Sequence, residues 1–191
     1  FLDKGHKAAG GFAGVNCLLF VNSQMVKTGE IKSLDDLLDP KWKGKIIIND
    51  PSISGTGNAA MRTIMMFKGE DFLKKLVEQN PVVTRDARIQ TEWVARGKYA
   101  VSIGPSFGII KDFIATGSPL AYVLPQEGAF LSNSPGVVLL PTNTPHPNAA
   151  KIFINWILTR EAQTQFAIAQ DTASRRLDVS AEHLALERRP R

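Results

Sequence analysis

The sequence has 191 residues, 43% hydrophobic and 21% charged, which is enough apolar material for a packed core in one or two domains. No run of about 18 apolar residues occurs, so a membrane-crossing helix is excluded. The net charge is +5, and Arg175, Arg176, Arg188, Arg189 and Arg191 carry much of the excess. No aromatic residues, zinc spacing or basic helix accompany these arginines, so a solvated terminus is expected there rather than a nucleic-acid surface.

Residues 15–22 (VNCLLFVN) predict a buried strand holding the lone cysteine, Cys17, which allows no internal disulfide and no cysteine metal cluster. Residues 33–38 (SLDDLL) predict a short helix capped by Ser33 and stopped by Pro40. Residues 44–49 (GKIIIN) predict a strand covered on both faces, as in a parallel sheet flanked by helices. A polar loop, residues 52–57 (SISGTG), leads into a helix over 58–67, and another helix follows over 70–79.

Val82 and Val83 suggest a short strand. Residues 88–96 predict a helix with Ile89, Trp93 and Val94 inward, closed by Gly97. Strands are expected at 99–103, 120–124 and 136–140, with helices at 107–115, 147–158 and 161–169. Alternating strands and helices predict an α/β fold with a mostly parallel sheet. The sequence shows no internal repeat.

The glycine-rich turn at 52–57 carries the clearest chemistry. A turn between a strand and a helix exposes backbone N–H groups at the positive end of the helix dipole. Ser52 opens the turn, Ser54 and Thr56 add hydroxyl donors, and Gly55 and Gly57 permit close approach of a ligand. Such a cradle suits a carboxylate, phosphate, phosphonate or carbonate. Taken alone, the motif reads first as a plain helix cap. It is not a nucleotide P-loop, because no Lys-Ser/Thr pair follows.

Ser106 and Phe107 lie at the carboxyl end of a predicted strand, where ligands of open α/β sheets gather. Phe107 packs either on an organic ligand or in the core. Gly104-Pro105-Ser106-Phe107-Gly108 also matches the G-x-S-x-G pattern of a serine nucleophile, with Asp171 or Asp178 and His183 downstream as partners. The proline before the serine argues against that hydrolase reading. Gln126 and Glu127 either reach a ligand or serve a hinge, and the residues leave both open. Asn16 faces a cleft or is a strand-edge amide. Arg88 reads as an exposed helix arginine more than as an anion contact, and Asp50 as a cap of the loop. His6, His146 and His183 are too scattered for a metal site. No catalytic residue, metal or cofactor is expected.

Five phrases, in this order, resemble the family-1 extracellular solute-binding proteins, which include ferric-iron, spermidine and phosphonate binders. They are IKSLDDLLDPKWKGKIIINDP (31–51) with SGTG following, VARGKYAVSIG (94–104), PLAYVLPQEGAF (119–130), TPHPNAAKIFINWILTREAQTQF (144–166) and SRRLDV (174–179). The resemblance implies a lobe of the type II periplasmic-binding-protein fold. It implies capture of a small anionic or zwitterionic solute at the 52–57 turn by closure of two lobes, in the periplasm, for the membrane permease of an ABC importer.

It also implies that residues 1–127 form the second lobe, 128–176 return to the first, and 177–191 form a tail, with the opening part of the first lobe absent. The chain starts at Phe1 with no visible signal peptide, so a fragment or a processed product is expected. In ferric-iron relatives adjacent tyrosines ligate the metal near 106–107. Here the tyrosines are Tyr99 and Tyr122, so direct tyrosinate ligation is not expected. A ligand-sensing domain of a regulator would share the fold. A lobe with an unpartnered apolar face is expected to form homodimers.

Overall fold

The computed structural model describes residues 8–10, 12–16, 18–53, 55–132, 137–170 and 172–184. Along the chain these form β1 (Ala8–Gly10), β2 (Phe12–Asn16), β3 (Leu19–Asn22), two 3-10 helices (Leu34–Leu38 and Pro40–Trp42), β4 (Ile46–Asn49) and α1 (Thr56–Glu78). Then come β5 (Val82–Thr84), α2 (Ala87–Ala95), β6 (Val101–Ile103), α3 (Phe107–Ala115), β7 (Leu120–Val123) and β8 (Phe130–Ser132). The described chain closes with β9 (Val137–Leu139), α4 (Pro147–Ile157), α5 (Arg160–Gln170) and β10 (Ala173–Ser174). Two compact units result: Asn16–Phe130, and Phe1–Val15 with Leu131–Arg191.

The larger unit is built on a five-stranded sheet of order β5-β4-β6-β3-β7. β4 pairs parallel with β5 and β6, whereas β3 is antiparallel to both β6 and β7. Four strands therefore share one direction and only β3 opposes them, which is the mostly parallel sheet expected. The three isoleucines of β4 are 0–5% exposed because helices cover both faces. Period-two alternation divides them. Ile46 and Ile48 join Leu19, Val21, Val101 and Ile103 under α1, beside Ala60, Ile64, Phe72 and Leu76. Ile47 joins Phe20, Leu120, Val94 and Ile110 beneath α2 and α3.

Local details both refine and correct the sequence reading. The eight residues 15–22 are not one strand: Asn16 ends β2 in a three-stranded sheet, while Leu19 begins β3 in the five-stranded one. The helices expected at 58–67 and 70–79 are both present within α1, divided as expected by a break at Gly69, whose φ of 77° leaves the helical region. Pro40 stops the first 3-10 helix and also opens the second, where its fixed φ suits the first position. In α2 the inward positions are Gln90, Thr91 and Val94, whereas Ile89 is exposed.

Asn22 holds the end of α2. Its amide, on a side chain 2% exposed, donates to the carbonyls of Val94 at 2.8 Å and Ala95 at 3.3 Å. These carbonyls belong to the last helical turn, and that of Val94 also accepts the N–H of Gly97 at 3.0 Å.

In the smaller unit β1 pairs with β9, and β2 lies between β10 and β8. Gln163, fully buried, donates to the carbonyl of Ile157 at 2.7 Å and accepts from Ser174 Oγ at 2.7 Å. Arg176, expected as part of a solvated tail, donates to the carbonyl of Leu158 and grips Asp178 with two nitrogens. It therefore serves as a C-terminal cap for α4.

Candidate functional site

Three helices start at the carboxyl ends of adjacent parallel strands: α1 after β4, α2 after β5 and α3 after β6. Each start presents N–H groups with no partner inside its helix. They are handled differently. Asp86 caps α2, its carboxylate accepting from the N–H groups of Arg88 at 2.8 Å and Ile89 at 2.9 Å. Gly55 before α1 and Ser106 before α3 make no side-chain cap bond. At two helix ends on neighbouring strands the N-cap residue thus supplies no side-chain acceptor.

The loops that carry these two ends are pressed together. Thr56 Oγ1 donates to the carbonyl of Gly104 at 2.8 Å. Gly104 has φ +66°, and a side chain there would meet the Cα of Gly57 at 2.8 Å. A side chain on Gly57 would in turn lie 2.3 Å from the carbonyl oxygen of Asn49. Gly57 was expected to admit a ligand; the main chain of Asn49 occupies its side-chain space instead, so this glycine serves packing. The Thr56 hydroxyl hydrogen, expected for a ligand, is already engaged by Gly104.

Asp50 organises the rest of the turn. It accepts from the main-chain nitrogen of Ser52 at 2.8 Å and from Ser52 Oγ at 2.6 Å. Arg85, one residue beyond β5, donates from Nε to its other oxygen at 2.8 Å. The Ser52 hydroxyl, Arg85 and the Ser52 N–H hold this carboxyl down at about 2. Ser52 therefore shapes the turn, while Arg85 places an exposed guanidinium on its rim. Arg85 escaped the sequence reading because parallel pairing of Asn49 with Thr84 brings it there. Asn58 closes the turn by donating to the carbonyl of Pro51 at 2.8 Å. Ser54 lies outside the described residues, as does the side chain of Asn16.

Phe107 stacks on Tyr122, with ring centroids 5.2 Å apart and planes at 24°, so its partner is internal. Arg88 sits over Phe113, 5.6 Å from the ring centre. Glu127 accepts from Ser33 Oγ at 2.6 Å and from the N–H of Leu34 at 3.1 Å, and pairs with Lys68 at 3.1 Å. Burial by itself raises the Glu127 pKa, but hydrogen bonds from Ser33, its own main chain, Leu34 and Lys68 outweigh this and bring it to about 2. That carboxylate is a structural cap. Gln126 lies in the same turn and gives its main-chain N–H to Lys32 at 2.7 Å.

Ser106 has φ −85° and ψ 112°, an ordinary extended N-cap. A nucleophile elbow strains its serine; here the positive φ falls on Gly104. His183 rests on the carbonyl of Thr172 at 3.0 Å, and Asp178 is held by Arg176. Asp171 lies outside the described residues. Ser106 therefore lacks the strained backbone of a nucleophile elbow.

A family model described as bacterial extracellular solute-binding protein matches residues 1–190. An uncharacterized protein of Haemophilus influenzae is 29% identical over 170 residues, covering 84% of this chain and 47% of its own length. The chain thus spans about half the length of that curated relative. Among solved structures, the periplasmic binding protein AfuA from Actinobacillus pleuropneumoniae, with exogenous fructose-6-phosphate bound, is 26% identical with a TM-score of 0.70. The match covers 97% of this chain and 59% of that one. A two-component system protein that mediates signal transduction shares the fold at 24% identity, with a TM-score of 0.79, over 97% of this chain and 62% of its own.

Proposed function

The chain belongs to the bacterial extracellular solute-binding proteins, and from that premise we propose that its protein is the periplasmic binding component of an ABC importer for a small anionic solute. The carrying observation is the contrast among the three helix starts. Asp86 supplies a carboxylate to the start of α2, whereas the N-cap residues of α1 and α3, Gly55 and Ser106, supply no side-chain acceptor. A phosphate or carboxylate placed there would accept N–H groups aligned with two helix dipoles. Arg85 on the rim adds a guanidinium able to meet an oxyanion. The phosphorylated sugar held by AfuA supports an anion as the solute class. Closure of the whole protein's two lobes over the solute, and delivery to a membrane permease, complete the proposal; the role is binding, without catalysis.

Calorimetric titration with fructose 6-phosphate, inorganic phosphate, methylphosphonate and neutral fructose tests it. At least one anion is expected to release heat and raise the melting temperature, with fructose silent. A protein extended to its relatives' full length that binds fructose but none of the anions would refute the anionic reading.

Homodimer formation is part of the same proposal, supported by the exposure of Ile152, Phe153 and Trp156 on α4, each above half. Light scattering that gives a concentration-independent monomer mass would remove that part alone.

A further inference from the structure

Residues 23–32 of the larger unit arch along β7, the edge strand of its sheet. Both ends of the arch are pinned to chain flanking β7. The N–H of Ser23 donates to the carbonyl of Pro119 at 2.8 Å, and the N–H of Gln126 donates to the carbonyl of Lys32 at 2.7 Å. Between the pins lies a cavity of about 400 Å³. Small-molecule sites span about 300–1,000 Å³.

The floor and mouth differ in chemistry. Val21, Val26 and Ile31, all 3–5% exposed, form the floor together with Ala121 and Val123. The Tyr122 ring packs against Phe20 and Phe107, on the sheet face opposite Ala121 and Val123. Two exposed lysines, Lys27 and Lys32, stand at the mouth. Gly29, at φ +77°, lets the chain turn there and leaves the Lys32 stem room to cross it, with Cε 3.8 Å from where a side chain would begin.

Among the described residues neither ammonium forms an ion pair. The nearest acid in sequence, Glu30, is occupied by the main-chain N–H of Lys27 at 2.8 Å and by Lys41 at 3.1 Å. An apolar floor beneath two cations that form no ion pair among the described residues selects a molecule with the same two-part build.

We infer that the cavity between residues 23–32 and β7 binds a small amphiphilic carboxylate. Its carboxylate lies between Lys27 and Lys32, and its hydrocarbon body rests on Val21, Val26 and Ile31. The site shares no residue with the helix-end cradle and stands or falls without it.

The test is a methyl NMR titration of the whole chain, labelled at Ile and Val, with octanoate and with octan-1-ol. Octanoate is expected to give saturable shifts centred on Val21, Val26 and Ile31, with octan-1-ol binding at least tenfold more weakly. The double variant K27Q/K32Q should lose at least tenfold in octanoate affinity, and both exposed substitutions leave the fold intact. Shifts that do not saturate, shifts centred elsewhere, equal binding of the alcohol, or unchanged affinity in the double variant would each overturn the inference.

Discussion

Thr56 gives its hydroxyl hydrogen to the main-chain oxygen of Gly104 at 2.8 Å, which ties the start of α1 to the loop that enters α3. Thr56→Val keeps the shape and removes the donor, leaving a carbonyl unpaired at a half-buried contact. Unfolding free energy is expected to fall by about 1–2 kcal/mol, read by urea denaturation. Anion affinity should weaken severalfold as the two helix ends lose alignment, and Thr56→Ser should restore both.

Two glycine substitutions should go opposite ways. Gly57→Ala puts a methyl group 2.3 Å from the carbonyl oxygen of Asn49, against main chain that cannot swing aside. A loss of about 3 kcal/mol is expected. Gly108→Ala meets nothing within 4 Å and lies inside α3. There a gain of about 0.5–1 kcal/mol is expected from helix propensity. Thermal denaturation of the two variants decides the contrast.

Ser106 and Asp86 share a backbone shape, with φ/ψ of −85°/112° and −96°/108°. Ser106→Asp should therefore cap α3 as Asp86 caps α2. Stability is expected to hold or rise by up to about 1 kcal/mol, while anion affinity falls at least tenfold. Unchanged affinity in calorimetry would separate α3 from the cradle.

Glu127 predicts an acid-dependent step. Its carboxyl titrates at about 2 against an ordinary 4.5, so the folded state favours the charged form. Its stabilisation is complete above about pH 4.5 and is lost as pH falls toward 2, worth on the order of 2 kcal/mol. Glu127→Gln should lower stability by about that amount at pH 7. The gap to the unsubstituted protein should close between pH 4.5 and 2, as followed by denaturation across that range.

The sheet was legible because β4 states its environment locally: three isoleucines in a row need cover on both faces. The division of residues 15–22 was not legible, since an apolar run carries no mark of where it changes sheets. The 52–57 turn announced a helix start, yet the hydroxyls of Ser52 and Thr56 proved to be engaged by Asp50 and Gly104, partners set by the fold. Arg85 reaches the turn only through strand pairing. Asp86 was within reach of sequence: an aspartate just before a helical run is a cap signal, and the reading began the helix one residue too late to use it.

The unequal capping of the three helices also bears on how cargo could be found. A guest that docks on the folded chain alone raises its resistance to unfolding, by about 2.7 kcal/mol at a hundred times Kd. If the proposed cradle at the starts of α1 and α3 holds the cargo, heat tolerance becomes a gauge of occupancy. Panels of unlabelled metabolites can then be ranked by melting curve, with the S106D chain as the blank.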